Sequence, residues 1–522
     1  MRTFLNNYAV LLVLLIVFVV LKVPHLFYPH YWDEAWSYAP AVNLMYHHGP
    51  TLLPGSIDVE ASRGHPLFFY ASAAMWLKIF GNTMVAKHCF ALFVSLAQLS
   101  IVYIACLRLF NKRVAIVSTI LLAAQVTFFV QSAMLLPEIL VGLLAFAAIY
   151  FYSAGKYFWS FVFLSCLFLT KESGLVMGIV LGADVLLSFF NKSISWPERW
   201  KKTGCVGGAG AIIVAFFLYQ HHTYGWFLYP GHTGLIDYSW GAIFGKVVDS
   251  MNDLFVVDKM YRVFWLLLLL SVGIAIWKKQ WLWLVYLLPA TVIWRLVTGH
   301  AGFGDGKLYV AILALSFIAA FIASSRLLSD QNKARKFLLL GGGFFLLYIA
   351  FTVFNFITHR YLIAVLVWVV VYIAIWLDGL ISRSSLYLYI PIAILLGLNI
   401  FKAYQWNTGV GDCNLQAFNA MKVQQDLIHY LEDKQAYEKN IGLGSFQQRV
   451  SMVKPEAGML KSGKIFKHAD WNIDSTTDYA LFDNIEPDDR FAQIKSDSSF
   501  HLIFRTEHGQ AWGEIFSQKR QD

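Results

Sequence analysis

Charge is what this sequence has least of. Asp, Glu, Lys and Arg make up 14% of its 522 residues, where a soluble domain carries about 25%. With 58% hydrophobic residues and a mean hydropathy of +0.56, that deficit excludes an ordinary soluble enzyme and points to a polytopic membrane protein. Cysteine is also sparse. Cys89, Cys106, Cys166, Cys205 and Cys413 stand at no CxxC or CxxH spacing, so neither a disulfide framework nor a cysteine zinc site is supported. There is no GxxxxGK[ST], no glycine fingerprint opening a βα unit, no GxSxG and no HExxH. These gaps leave the chain without a sequence signature for nucleotide binding or for the common hydrolases. Repeats and low-complexity tracts are absent as well.

The net charge of +9 is unevenly divided: residues 1–401 hold 27 Lys+Arg against 15 Asp+Glu, and residues 402–522 hold 14 against 17. The positive excess belongs to the apolar part, where it reports topology and not nucleic-acid binding. Aromatics are plentiful at 17%, as suits helices rimmed by interfacial rings. A helix needs about 20 apolar residues to span a membrane. That rule predicts spans near 8–23, 86–110, 114–131, 138–154, 157–170, 174–190, 204–220, 260–277, 281–297, 307–325, 337–356, 361–377 and 386–402. The expected fold is an α-helical polytopic membrane protein of about 13 transmembrane helices (residues 1–402), with a small α/β soluble domain at 403–522. Arg2 and the apolar run from Tyr8 resemble a signal peptide, but no small-x-small cleavage site precedes Pro24, so the run reads as an uncleaved first helix.

Short basic loops, such as Asn111-Lys112-Arg113, Lys156 and the stretch from Lys192 to Lys202, alternate with the long, cation-poor loops 24–85 and 221–258. The positive-inside rule makes the basic set cytoplasmic. Asp33-Glu34 then faces outward, and an odd span count puts the C-terminal domain on the same side. Within loop 24–85, Ala35 to His48 and Pro66 to Phe80 have apolar spacing suited to surface helices.

The few charges in the apolar part cluster at outer span ends. Tyr31-Trp32-Asp33-Glu34-Ala35-Trp36 places two carboxylates just after the first span. They suit a general base or a metal ligand in an outward cavity, or a helix cap with a first-turn glutamate. Arg63-Gly64-His65-Pro66 either faces the same cavity or is a loop with a helix-starting proline. Glu138 follows Pro137 at an outer helix end, where it either complements the helix dipole or serves the site. Lys171-Glu172 is either an ion pair at the membrane edge or a charged site. His359-Arg360-Tyr361 offers a guanidinium fork that fits phosphate or an interfacial anchor. His221-His222 and Tyr229-Pro230-Gly231-His232 are further candidates for metal or substrate.

These motifs, with His65-Pro66-Leu67-Phe68-Phe69-Tyr70 and Leu169-Thr170-Lys171-Glu172-Ser173-Gly174, resemble those of the type C membrane glycosyltransferases. The branch most similar is that of the protein mannosyltransferases (glycosyltransferase family 39) and the lipid A aminoarabinose transferases. The chain departs from their pattern at Glu138, commonly Asp there, and at His65, where the aminoarabinose transferases usually have Lys. The resemblance implies transfer of a sugar, with inversion, from a polyprenyl-phosphate carrier to a lipid, glycan or protein acceptor outside a bacterial inner membrane. It implies Asp33 and Glu138 as catalytic residues, and Glu34, Arg63, His65, Lys171, His359, Arg360 and Tyr361 as substrate-binding ones. A divalent cation is a possible cofactor; membrane lipids are expected partners and nucleic acid is not. A transporter or flippase of a lipid-linked or small polar substrate is the alternative, and it predicts charges at the bilayer midplane instead of at span ends.

Overall fold

The computed structural model describes residues 2–251, 253–254, 332–355, 358–381 and 410–518, with isolated positions between 394 and 405. The expected spans at 260–277, 281–297 and 307–325, and most of 386–402, lie outside the described residues. Among the described residues six helices are long and apolar enough to cross a membrane, including Met84–Leu109, Trp196–Tyr224 and Asn332–Phe354. The chain is thus a multi-pass helical protein; the count of 13 is not reached by the described part. Glu138–Ser153 and Tyr157–Phe168 are shorter apolar helices beside them. The latter has 12 residues, which reach about 18 Å at 1.5 Å per residue. The expected span at 114–131 is corrected: it breaks into helices Lys112–Ala123 and Val126–Gln131.

The helix Ile363–Ile381 is the centre of the bundle and is almost wholly enclosed. Its Trp368 packs between Phe146 and Phe337, each with ring centroids 5.0 Å away. Gly341 makes this possible, because a Cβ there would lie 2.2 Å from the indole. Within loop 24–85, helices Ala39–His48 and Phe68–Phe80 form as expected and pack on each other, with Val42, Met45 and Leu77 buried.

The C-terminal region is a mixed α/β unit. Helix Gln416–Asp433 precedes strands β1 (Asn440–Leu443), β2 (His468–Asp470), β3 (Tyr479–Asp483), β4 (Phe500–His508) and β5 (Ala511–Gln518). The sheet order is β2-β1-β3-β5-β4. β1 runs parallel to both of its neighbours, whereas β5 is antiparallel to β3 and β4.

This unit grips the segment that carries Asp33. Helix Phe446–Val453 has the free N–H groups of Phe446 and Gln447 capped by Glu486. From it, Gln447 Oε1 accepts the Trp32 N–H at 2.9 Å, and Phe446 packs edge-on against Trp36 at 5.6 Å. Lys454 Nζ donates to the Trp36 carbonyl at 2.9 Å, and His30 N–H donates to Ala457 O at 2.9 Å. Trp32 has φ +49°, a conformation that costs a bulky residue energy and persists only where surroundings hold it. Replacing Gln447 by Leu keeps its bulk but strands the Trp32 amide. The expected cost is about 1–3 kcal/mol, read as a lower thermal midpoint of the full-length protein in detergent; an unchanged midpoint contradicts the clamp.

Candidate active site

Asp33 opens a single π-turn, Glu34–Tyr38, a form that often marks functional sites. Its side chain makes no capping hydrogen bond, so the cap reading is set aside. Instead Oδ1 accepts the Trp36 indole N–H at 2.8 Å, and Oδ2 pairs with the Arg360 guanidinium. Arg360 sits in the 3₁₀ turn His359–Leu362 at the head of the central helix and is almost fully buried. Its Nη1 donates to Asp412 Oδ2 at 2.5 Å, and its Nε lies 3.5 Å from Glu138 Oε1. The same Glu138 oxygen accepts from Lys171 Nζ at 2.9 Å, and the Lys171 ammonium stands 4.0 Å over the Tyr361 ring. Burial pushes the Asp33 carboxyl upward, but the charges of Arg360 and Arg63 and the Trp36 hydrogen bond outweigh it and hold it below its ordinary 3.8. Asp33 is ionised at neutral pH.

A cavity of about 840 Å³ opens beside this network. Its charged head presents Asp33, Arg63, His65, Lys171, Arg360 and Asp412, and its walls are apolar, with Leu175, Ile179, Leu235, Ile236 and Phe351. His65 Nδ1 lies 2.7 Å from Glu172 Oε2, and its ring centroid is 4.7 Å from that of His232. Gly64, at φ +66°, lets the two loops meet: a Cβ there would lie 2.6 Å from Tyr229. Burial and the neighbouring His65 hold His232 down at about 4, so it is neutral at neutral pH.

The expected residues divide into three groups. Asp33, Arg63, His65, Lys171, Arg360 and Tyr361 converge on the cavity. Glu138, expected to be catalytic, does not line it; it meets the site through Arg360 and Lys171, beside which it stands as a buried counter-charge. Two residues turn away. His359 Nε2 lies 3.1 Å from Thr127 Oγ1. Glu34, expected to touch substrate, is enclosed: its Oε1 lies 2.9 Å from His30 Nδ1 and 3.0 Å from His88 Nε2, and accepts the Leu135 N–H at 2.7 Å. Burial opposes its ionisation, yet His30 and His88 hold it well below the carboxylate range. Its neighbourhood thus anchors the turn that presents Asp33. The Lys171–Glu172 pair is not formed: Lys171 joins Glu138, and Glu172 joins His65. Asp412 and Trp36 were not anticipated. The one sequence signal for Asp412 is an acid placed right after the last apolar run.

No family model matches the sequence, and no curated protein matches it. Solved structures do. The apo crystal structure of ArnT from Cupriavidus metallidurans aligns over 96% of this chain and 97% of its own, with a TM-score of 0.50 at 12% identity. The chain has the fold of ArnT. The crystal structure of the same ArnT bound to undecaprenyl phosphate aligns with equal coverage, a TM-score of 0.49 and 12% identity. The alignment to the apo ArnT structure takes in both the helical bundle and the C-terminal unit.

Glu138→Gln leaves Arg360 and Lys171 without the anion they share and is expected to cost about 3–5 kcal/mol, as breaking a buried pair does. Asp412→Asn costs less, because Arg360 keeps two other carboxylates; thermal unfolding in detergent ranks the two. The folded pKa of Asp33 is depressed, so its stabilisation is present above its ordinary 3.8 and is lost as pH falls through the folded value. Asp33→Asn is therefore expected to lose less stability than the wild type over that acid range, and equal pH profiles contradict this.

Proposed function

We propose that this protein is a glycosyltransferase that moves a sugar from a polyprenyl-phosphate carrier to an acceptor hydroxyl or phosphate on the outer face of the membrane, with inversion at the anomeric carbon. One observation carries the reading: a single cavity joins an apolar wall to a head where an ionised carboxylate stands beside buried cations. The wall suits an isoprenoid tail. Arg360 and Lys171 suit the phosphate, which gains charge as the glycosidic bond to it breaks. Asp33 suits an acceptor hydroxyl, a weak nucleophile whose proton must go to a positioned base.

The step is a displacement. The acceptor oxygen bonds to the anomeric carbon as its proton passes to an Asp33 oxygen. The bond from that carbon to the phosphate oxygen breaks, and the carrier phosphate leaves with the electron pair onto Arg360 and Lys171. A carboxylate held below its ordinary pKa is a weak base. It accepts the proton late, once the attacking oxygen has become acidic through bond formation. Both Asp33 oxygens already accept a donor, and each keeps lone-pair capacity for a further hydrogen bond. The cation-poor loops carrying Asp33 and His232 support an outward-facing site. The sugar and its acceptor are the open variables of this reading, and the wide cavity admits either a lipid or a glycan acceptor.

Asp33→Asn is expected to lower sugar transfer at least ~10²-fold, the usual reach of general-base catalysis, with unchanged elution on size exclusion. Arg360→Lys retains a charge but loses the fork and is expected to lose most activity too. The assay follows transfer from undecaprenyl-phosphate sugars by mass spectrometry, and full activity of a folded Asp33→Asn protein would sink the assignment.

A further inference from the structure

We propose that His30, Glu34 and His88 bind a structural Zn²⁺ ion that ties the turn carrying Asp33 to the helical bundle. This site is independent of the transferase reading.

His30 and Glu34 flank the left-handed Trp32 in loop 24–85, and His88 stands near the start of helix Met84–Leu109. One coordinating atom of each meets the others in a near-equilateral triangle. Glu34 Oε1 lies 2.9 Å from His30 Nδ1 and 3.0 Å from His88 Nε2, and the two nitrogens are 3.1 Å apart. The imidazole planes cross at 87°, and all three side chains are sealed from solvent. Hydrogen bonds alone fill this triangle poorly. Glu34 Oε1 also accepts the Leu135 N–H at 2.7 Å, so with both imidazoles it would take three donors, where one carboxylate oxygen offers about two lone pairs. Its other oxygen takes the Tyr31 N–H at a long 3.4 Å. A single ion in place of the two imidazole donors leaves Oε1 with two partners, the amide and the metal.

His88 is also oriented as a ligand. Its Nδ1 lies 3.0 Å from the Leu26 carbonyl oxygen, which can only accept, so Nδ1 carries a proton and the neutral ring aims the Nε2 lone pair at the carboxylate. A backbone carbonyl behind a histidine is the usual support of a metal ligand. Two imidazoles and a carboxylate suit zinc, whose bonds of about 2.0–2.1 Å set ligand atoms roughly 3.3 Å apart; the triangle needs to open only slightly. Non-haem iron uses a similar set but keeps open positions. This site has no free face, and its fourth position falls to Glu34 Oε2. The His30 N–H is held by Ala457 O of the C-terminal unit, so an ion here joins that unit, the Asp33 turn and a bundle helix at one point.

The test takes full-length protein from cells grown with Zn²⁺, dialyses it against chelator in nanodiscs and counts the retained metal by elemental mass spectrometry. It is run in a His232→Ala background, because His65, Glu172 and His232 form a second histidine–carboxylate cluster. A sealed ion is expected to stay, at one per chain, until the protein is unfolded. His88→Gln and Glu34→Gln are each expected to reduce the retained metal about tenfold or more, while His222→Ala, on an exposed helix end, leaves it unchanged. X-ray absorption of the retained ion needs no variant in the cluster, so it decides even where those two fail to fold; two imidazoles among nitrogen and oxygen ligands are expected. No retained metal, a shell without imidazole, or undiminished metal in a folded His88→Gln protein overturns the site. Zinc retained by a protein that transfers no sugar supports the ion site and counts against the transferase reading alone.

Discussion

Everything at this site hangs on one buried guanidinium. Arg360 has left water for a nearly closed position, at a desolvation cost of several kcal/mol that only good partners offset. It has three: Asp33 from loop 24–85, Glu138 from the start of a bundle helix, and Asp412 from the entry to the C-terminal unit. These come from stretches more than a hundred residues apart, so the site exists only when bundle, loop and C-terminal unit have all assembled. Glu138 binds the network further by holding Lys171 through the same oxygen that faces Arg360. The cations offered to the cavity are thereby fixed in place before any ligand arrives, which is the condition for electrostatic catalysis.

The second constraint is the posture of the Asp33 turn. Asp33 and Glu34 are neighbours with opposite tasks. Glu34 faces inward, where two histidines and a backbone amide hold it; Asp33 faces the cavity. A π-turn and a left-handed Trp32 are what separate the two carboxylates by direction. The C-terminal unit holds that posture from outside through Gln447 and Lys454. It is therefore a structural part of the site and not an appended domain, and Phe446 and Asp412 carry it to the cavity itself.

Much of this was legible in the sequence, because a charge in an apolar chain needs a reason. Asp33, His65, Lys171 and Arg360 stood out on that ground alone and do converge. What the residues could not announce was their pairing. Lys171 and Glu172 are adjacent in sequence, yet the 3₁₀ turn that starts at Glu172 sends them to different partners. Asp412 lies beyond the last apolar run, in the polar C-terminal part of the chain, so its charge did not stand out against an apolar background. The apolar runs Ile441 to Phe446, Tyr479 to Phe482 and Phe500 to Phe504 read as strands from the sequence, and they fall at β1, β3 and the start of β4. The interior strand β5 escaped because its buried Glu514, which pairs with Arg505 at 2.8 Å, breaks the apolar pattern. The broken helix at Gln125 escaped for the opposite reason: hydropathy alone does not see a turn inside an apolar run.

The central claim is that a polyprenyl-phosphate sugar is consumed at the Arg360 cluster. Its most direct measurement is mass spectrometry of lipid-linked sugars and surface glycoconjugates in a strain lacking this protein. The account predicts that one polyprenyl-phosphate sugar accumulates while one glycosylated product disappears. Unchanged pools of both would contradict it.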